Sequence, residues 1–315
     1  MKAAILSGSA NPALADAVAE RLGVRPRARV LGRFPDGELH VELEDSVRDQ
    51  DVYILQPTGP PADEHLMELL MLGDACRRAG AARTTAVVPY LGYARQDRRA
   101  RGREPIAARL VADLVQAAGL ERVVAVDLHT PAIEGLFHVP IEHLSAMPLL
   151  TEAAHPWLAK RDAPGVVVAP DLGAMKLAER YARALKLPLA VVHKSRLSGE
   201  AVRVGGVTGD VRDRAPLIVD DMISTCGTVV AAVEALLERG AAPDVIVIAS
   251  HALLVGQAIE RLKNLALRRL IVSDSVPVDA DCLVPVELVS LAPLLADAID
   301  RLHRGQSLED LITHR

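Results

Sequence analysis

The nine residues Asp220-Asp221-Met222-Ile223-Ser224-Thr225-Cys226-Gly227-Thr228 lie between an apolar run that starts at Pro216 and a stretch with helical spacing. One turn therefore gathers two carboxylates, three hydroxyls and a glycine. A phosphate at a helix N-terminus meets backbone N–H groups and the positive end of the helix dipole. Ser224, Thr225 and Thr228 add hydroxyl donors, and Gly227 lets the backbone approach closely. Asp220 and Asp221 can accept hydrogen bonds from vicinal hydroxyls. A ligand carrying both a phosphate and a diol, such as ribose 5-phosphate, fits this set. A helix cap also draws on Ser, Thr and Asp, but it needs one such residue rather than several ligand types together.

Other residues stand out by type and place. The chain holds six lysines, and Lys194 follows the apolar run Leu189 to His193, with Arg196 two residues on. His129 follows Asp127 at the end of another apolar run, and Asp171 ends a third. Phe34 is one of two phenylalanines and adjoins the turn signal Pro35-Asp36-Gly37. Arg95-Gln96-Asp97 opens an arginine-rich stretch that also reads as a solvated basic loop.

These residues need elements to hold them. Short apolar runs predict strands at Ala3 to Leu6, Val52 to Leu55, Thr85 to Val88, Arg122 to Val126, Gly165 to Ala169, Leu189 to His193, Leu217 to Val219 and Val245 to Ser250. Between them, helical spacing predicts helices at Ala15 to Leu22, Asp63 to Ala79, Pro105 to Ala118, Leu172 to Ala184, Thr228 to Arg239 and Pro293 to Leu302, with Pro105 in the first turn of its helix. Such alternation predicts an α/β fold of parallel sheets flanked by helices, with ligands beyond the carboxyl ends of strands. Val87 to Gly92 resembles Val168 to Gly173, and Val124 to His129 resembles Leu217 to Met222, in the same order. We read this as an internal duplication with a boundary near Ser145 to Thr151.

The bulk numbers narrow the function classes. At 315 residues, two domains are expected. A net charge of -5 gives no broad attraction for nucleic acid or anionic membrane, so a phosphate site must be built locally. Cys76, Cys226 and Cys282 form no CxxC pair, which argues against zinc and disulfides and fits a reducing cytoplasm. The N-terminus lacks the apolar core of a signal peptide, and no transmembrane helix is expected.

The segment Asp220 to Thr228 resembles the phosphoribosyl-pyrophosphate motif of the phosphoribosyltransferase fold, which serves both enzymes that consume this compound and enzymes that make it. Further segments decide the direction: Arg33 to His40, Pro89 to Arg99, Arg101 to Leu110 and Val126 to Pro131. With these the chain resembles the ribose-phosphate pyrophosphokinase family from about Ser7 to Ser250. The resemblance implies two tandem phosphoribosyltransferase-like domains, 1–147 on the ATP side with a C-terminal helix in 300–315 packed on it, and 148–299 on the ribose 5-phosphate side. It implies Phe34, Asp36, Glu38, Arg95, Gln96, Asp97 and His129 at ATP, the first three partly across a subunit contact. It implies Asp220, Asp221, Ser224, Thr225, Cys226, Gly227 and Thr228 at ribose 5-phosphate, Mg2+ near His129 and Asp171, and Lys194 and Arg196 as the catalytic pair. It also implies a cytoplasmic homo-oligomer built from dimers, a hexamer or smaller. A base-transferring phosphoribosyltransferase or a non-catalytic regulatory relative remain as alternatives. Two departures are visible. Asp171-Leu172-Gly173-Ala174 stands where many members carry Asp-His-Gly-Gly, and Ser224 and Cys226 stand where many carry Asp and Ala, as in archaeal-type members.

Overall fold

The computed structural model describes residues 3–196, 202–265, 267–278 and 285–312; the side chains of 194–196 and 202–205 lie outside that description. The chain forms two compact units. Unit 1 comprises residues up to Ser145 with Ser275–Pro277 and the stretch from Ser290, and unit 2 comprises Ala146–Asp274 and Val278–Val289.

Unit 1 opens with β1 (Ala3–Ser7) and α1 (Pro12–Arg21). Asn11 caps α1 by accepting from the Leu14 N–H at 3.2 Å, and Pro12 opens its first turn. A hairpin of β2 (Arg29–Arg33) and β3 (Leu39–Leu43) follows, then β4 (Asp51–Leu55), α2 (Ala62–Arg78), β5 (Arg83–Val88), α3 (Ala107–Ala117), β6 (Arg122–Val126) and β7 (Ile141–Leu144). The sheet order is β1-β4-β5-β6-β7, all parallel. β4, β5 and β6 are apolar and buried on both faces, as a helix-covered parallel sheet demands. α2 carries Asp63 and Glu64 in its first turn and Arg77 and Arg78 in its last, matching the helix dipole, and buries Leu66, Leu69 and Cys76. Pro105 precedes α3 rather than opening it. The N-cap is Ile106 at φ -105°, ψ 86°, and the helix starts at Ala107.

Unit 2 holds α4 (Met147–Leu158), β8 (Gly165–Ala169), α5 (Met175–Leu185), β9 (Leu189–Arg196), β10 (Val202–Thr208), β11 (Ala215–Ile223), α6 (Gly227–Glu238), β12 (Val245–Ala252), α7 (Ala258–Lys263), β13 (Leu267–Ser273) and β14 (Val286–Val289). Its sheet order is β10-β9-β8-β11-β12-β13-β14, parallel except for β10. From β8 the order runs outward through β9 and β10 on one side, and from β11 through β12 to β14 on the other. The gap between β8 and β11 is therefore a topological switch point, where open α/β sheets form their crevice. Val166, Val168, Ile218, Val233, Leu236 and Val247 belong to the core of this unit.

The last helix, α8 (Ala292–Arg304), returns to unit 1 and packs on α1 and β1. His303 on α8 meets the buried Asp51 of β4 at 2.9 Å, and Ile312 bridges the edge strand β7 at Leu144. No helix among the described residues is long and apolar enough to cross a membrane.

Candidate functional site

In unit 1 the candidate residues occupy one hairpin turn and two strand ends. The β2–β3 turn is closed by the Phe34 N–H to Glu38 carbonyl and Gly37 N–H to Phe34 carbonyl bonds, both 2.9 Å. Asp36 Oδ1 accepts the Glu38 N–H at 3.1 Å. Phe34 is 49% exposed, with its ring centroid 4.9 Å from that of His40. A flat apolar ring held in solvent on a rigid turn is a platform for a planar ligand.

After β5, Gly92 lies so close to Thr58 that a Cβ there would stand 2.3 Å from the Thr58 carbonyl oxygen, so no side chain is tolerated. Its N–H donates to Thr58 Oγ1 at 2.7 Å. The turn then continues through Tyr93 at φ 61° to Arg95 and Gln96, both exposed, and Asp97, which is half-buried. Asp97 Oδ2 accepts from Thr130 Oγ1 at 2.8 Å, which joins the β5 end to the neighbouring β6 end.

The β6 end is fixed by two residues that the sequence did not flag. The Leu128 N–H donates to His143 Nε2 at 2.8 Å, and His143 Nδ1 lies 2.8 Å from Glu134 Oε1. Since Nε2 accepts, the imidazole proton sits on Nδ1 and donates to Glu134. Asp127 is buried at φ 38°, a conformation that costs roughly 1–3 kcal/mol for a non-glycine residue and is held here by the Asp127 N–H to Leu144 carbonyl bond. His129 emerges exposed from this fixed turn. Glu134 and His143 lie in separate elements, and no spacing rule links them.

In unit 2, Asp171 follows β8 and Asp220 and Asp221 lie near the end of β11, on the two sides of the switch point. The strand reaches further than its sequence suggests. The sequence pattern ends it at Val219, but it continues to Ile223, because Met222 and Ile223 still pair with His251 and Ala252 of β12. Asp171 Oδ1 accepts the Gly173 and Ala174 N–H groups at 2.9 and 3.3 Å, fixing the carboxylate at the start of α5. The neighbouring Leu172 is 62% exposed. Burial pushes the Asp220 carboxyl well above the usual carboxylate range, and the charges of Asp221 and Asp171 push it further.

The turn into α6 leaves Ser224 and Thr225 out of the helix cap. The N-cap residue is Cys226, in the left-handed region at φ 63°, and its side chain makes no capping bond. Ser224 and Thr225 are therefore not spent on capping. The Cys226 thiol turns into the core, where burial raises it to about 12, so this residue offers its backbone rather than a thiolate. A Cβ on Gly227 would meet nothing nearer than Arg261 at 3.6 Å, so packing of the chain itself does not demand glycine there. Lys194 and Arg196 end β9, in register with Val204 and Val202 of β10; their side chains lie outside the described residues.

Among the described residues no three His, Cys, Asp or Glu side chains form a metal cage. The donor chemistry nevertheless suits a hard cation: Asp171, Asp220 and Asp221 are oxygen ligands whose mutual repulsion a positive charge would relieve, and magnesium takes few protein ligands. The same repulsion sets a testable trade-off. A carboxyl whose folded pKa is raised contributes stability fully present below its unfolded value, and that contribution is lost as pH rises through the folded value. Asp220→Asn is expected to raise the melting temperature of the ligand-free protein at pH 7, to flatten the decline in stability above pH 4, and to weaken ribose 5-phosphate binding. Thermal melts across pH with a binding titration check all three.

Comparisons with known proteins agree along the length of the chain. A family model described as the N-terminal domain of ribose phosphate pyrophosphokinase matches residues 3–119, and one described as the phosphoribosyl synthetase-associated domain matches residues 204–313. The ribose-phosphate pyrophosphokinase of Caldanaerobacter subterraneus is 43% identical over 98% of this chain and 97% of its own. That of Gloeobacter violaceus is 43% identical over 98% of this chain and 92% of its own. The crystal structure of phosphoribosylpyrophosphate synthetase from Mycobacterium smegmatis superposes with a TM-score of 0.90 at 41% identity, covering 97% of this chain and 100% of that one.

Proposed function

The chain belongs to the ribose-phosphate pyrophosphokinase family, and on that premise we propose which of its residues carry out the reaction. It is a transferase with the fold of phosphoribosylpyrophosphate synthetase. It moves the diphosphate of ATP to the anomeric hydroxyl of ribose 5-phosphate, giving 5-phosphoribosyl 1-diphosphate and AMP. The hydroxyl oxygen attacks the β-phosphorus, the bond from that phosphorus to the α–β bridging oxygen breaks, and AMP departs with the bridging oxygen.

Such a transfer depends on positioning and charge neutralisation more than on covalent help. On the ATP side, Phe34 would support the adenine ring, with Asp36 and Glu38 hydrogen-bonding its edge. Arg95 would neutralise triphosphate charge, and Gln96 and Asp97 would orient the nucleotide. On the sugar side, Asp220 and Asp221 would hold the ribose hydroxyls, while Ser224, Thr225, Thr228 and the backbone from Ser224 to Gly227 would hold the 5-phosphate. Lys194 and Arg196 would offset the charge that develops on the moving diphosphate. Magnesium, when bound, would neutralise and orient phosphate oxygens; we assign His129 to it in unit 1, and Asp171 is a second, separate candidate contact in unit 2. Leu172, in place of a histidine, offers no ligand, which leaves Asp171 as the side chain available at that turn.

The observation that supports this assignment most is the gathering of Asp171, Asp220, Asp221 and the hydroxyl-rich start of α6 at the switch point of one sheet. We also infer a cytoplasmic homo-oligomer; Leu110 and Leu114, exposed one turn apart on α3, are apolar surface of the kind that self-association covers. Omission assays test the scheme. AMP release is expected to require ribose 5-phosphate, to stop on chelation and to return with added magnesium. AMP release that persists in a chelator would remove the metal from the scheme.

A further inference from the structure

The strongest unassigned feature of unit 2 is Arg261 on α7, a half-buried cation pointed at the phosphate turn. Its Nη1 donates to the Thr225 carbonyl at 2.9 Å. Two neighbouring carbonyls are pinned from the same side. Ile223 accepts the Leu253 N–H at 2.9 Å, and Ser224 accepts the Val255 N–H at 3.1 Å. Three successive carbonyls, from Ile223 to Thr225, thus face the segment 253–261. In a trans peptide the N–H points opposite to the carbonyl of the preceding residue. The N–H groups of Ser224, Thr225 and Cys226 therefore face away from that segment. Cys226, at φ 63° and ψ 1°, supplies the left-handed step that curls successive N–H groups into an anion-binding nest.

Among the described donors to these three carbonyls, Arg261 is the only side chain, and it acts on the peptide that carries the Cys226 N–H. We propose that Arg261 is a positioning residue for ribose 5-phosphate: it turns the Thr225–Cys226 peptide so that the nest faces the 5-phosphate, and its guanidinium adds positive charge beside the nest. The guanidinium stands 3.6 Å from where a Gly227 Cβ would be, near enough for that charge to act at the turn. This inference rests on the assignment of the turn to the 5-phosphate.

The test compares Arg261→Met, Arg261→Lys and Thr228→Val by steady-state kinetics and calorimetric binding of ribose 5-phosphate, with a circular-dichroism melt to verify folding. Arg261→Met is expected to raise the KM and Kd for ribose 5-phosphate by about tenfold to hundredfold, the range of a charge-assisted hydrogen bond, with the KM for ATP unchanged. Arg261→Lys, which keeps a donor and the charge, is expected to recover most of the loss. Thr228→Val separates failure of the turn assignment from failure of the Arg261 role. If it raises the KM for ribose 5-phosphate while Arg261→Met does not, the turn assignment stands and the role of Arg261 is overturned. If neither variant changes that KM, the turn assignment fails and the Arg261 proposal with it. If Arg261→Met raises both KM values equally and Arg261→Lys recovers nothing, Arg261 is a general structural residue and the proposal is overturned.

Discussion

Replacing Lys194 by alanine is expected to lower turnover by about 100- to 1000-fold, the cost of removing one donor aimed at developing charge. The substrate KM values are expected to change far less, because an interaction made in the transition state lowers kcat and kcat/KM together. As the diphosphate passes from AMP to the sugar, negative charge shifts among phosphate oxygens, and an ammonium group beside them would stabilise that shift. Lys194 is one of six lysines in a chain rich in arginine, and it ends β9, the neighbour of β8 that leads to Asp171. Arg196 ends the same strand. Arg196→Ala is expected to act in the same direction, and the double variant to fall short of the product of the two effects, since both groups are proposed to serve one charge. Single-turnover measurements of AMP release check this. Full turnover in Lys194→Ala would remove the residue from catalysis.

Replacing Arg161 by methionine is expected to destabilise unit 2 by about 3–5 kcal/mol, the range for removing one member of a buried charged network. The Arg161 side chain is 2% exposed. Nη1 donates to the Ala215 carbonyl at 3.0 Å, and Nη2 to the Pro216 and Asp244 carbonyls at 3.1 and 3.2 Å. One guanidinium thus ties together the amino ends of β11 and β12. Burial lowers its pKa to about 10, so it stays charged at neutral pH, with Asp244 opposing that shift. Methionine fills much of the volume but leaves three carbonyls without this donor. Trp157, the single tryptophan of the chain, lies in unit 2 and reports its unfolding without interference from unit 1. Urea titration of its fluorescence is expected to show a lower midpoint with an unchanged slope. A loss below about 1 kcal/mol would mean that these carbonyls find other donors.

The parts of the fold that the sequence made legible are those where one physical signal dominates. β4, β5, β6, β8 and β12 are apolar runs buried on both faces, and the pattern alone marks them. The hairpin strands were not legible, because β2 and β3 are half-exposed and mix Arg, Gly, His and Glu with their apolar residues; only the Pro35-Asp36-Gly37 turn between them stood out. β13 was hidden by Arg268 and Arg269, and α4 by its prolines at 148 and 156. Asp220 and Asp221 read as loop because aspartate disfavours strands, yet pairing with β12 overrides that preference.

At the candidate site the same division holds. Residues that present their own chemistry, such as Asp171 or the hydroxyl-rich turn, could be picked out one by one. Residues that act by holding another could not. His143 grips a backbone N–H 15 residues away and Arg261 a carbonyl 36 residues away, and only folding brings them to their partners. The Cys226 side chain shows the converse limit. It stands inside the turn proposed to bind phosphate, yet its thiol is buried in the core.

The central claim is that this chain transfers an intact diphosphate from ATP to ribose 5-phosphate. Phosphorus-31 NMR of the purified protein with ATP, ribose 5-phosphate and magnesium tests it most directly. The β and γ resonances of ATP are expected to give way to a pair of coupled sugar-diphosphate resonances, with AMP appearing in equal amount. Appearance of ADP with a singly phosphorylated C1, or an unchanged ATP spectrum, would contradict it.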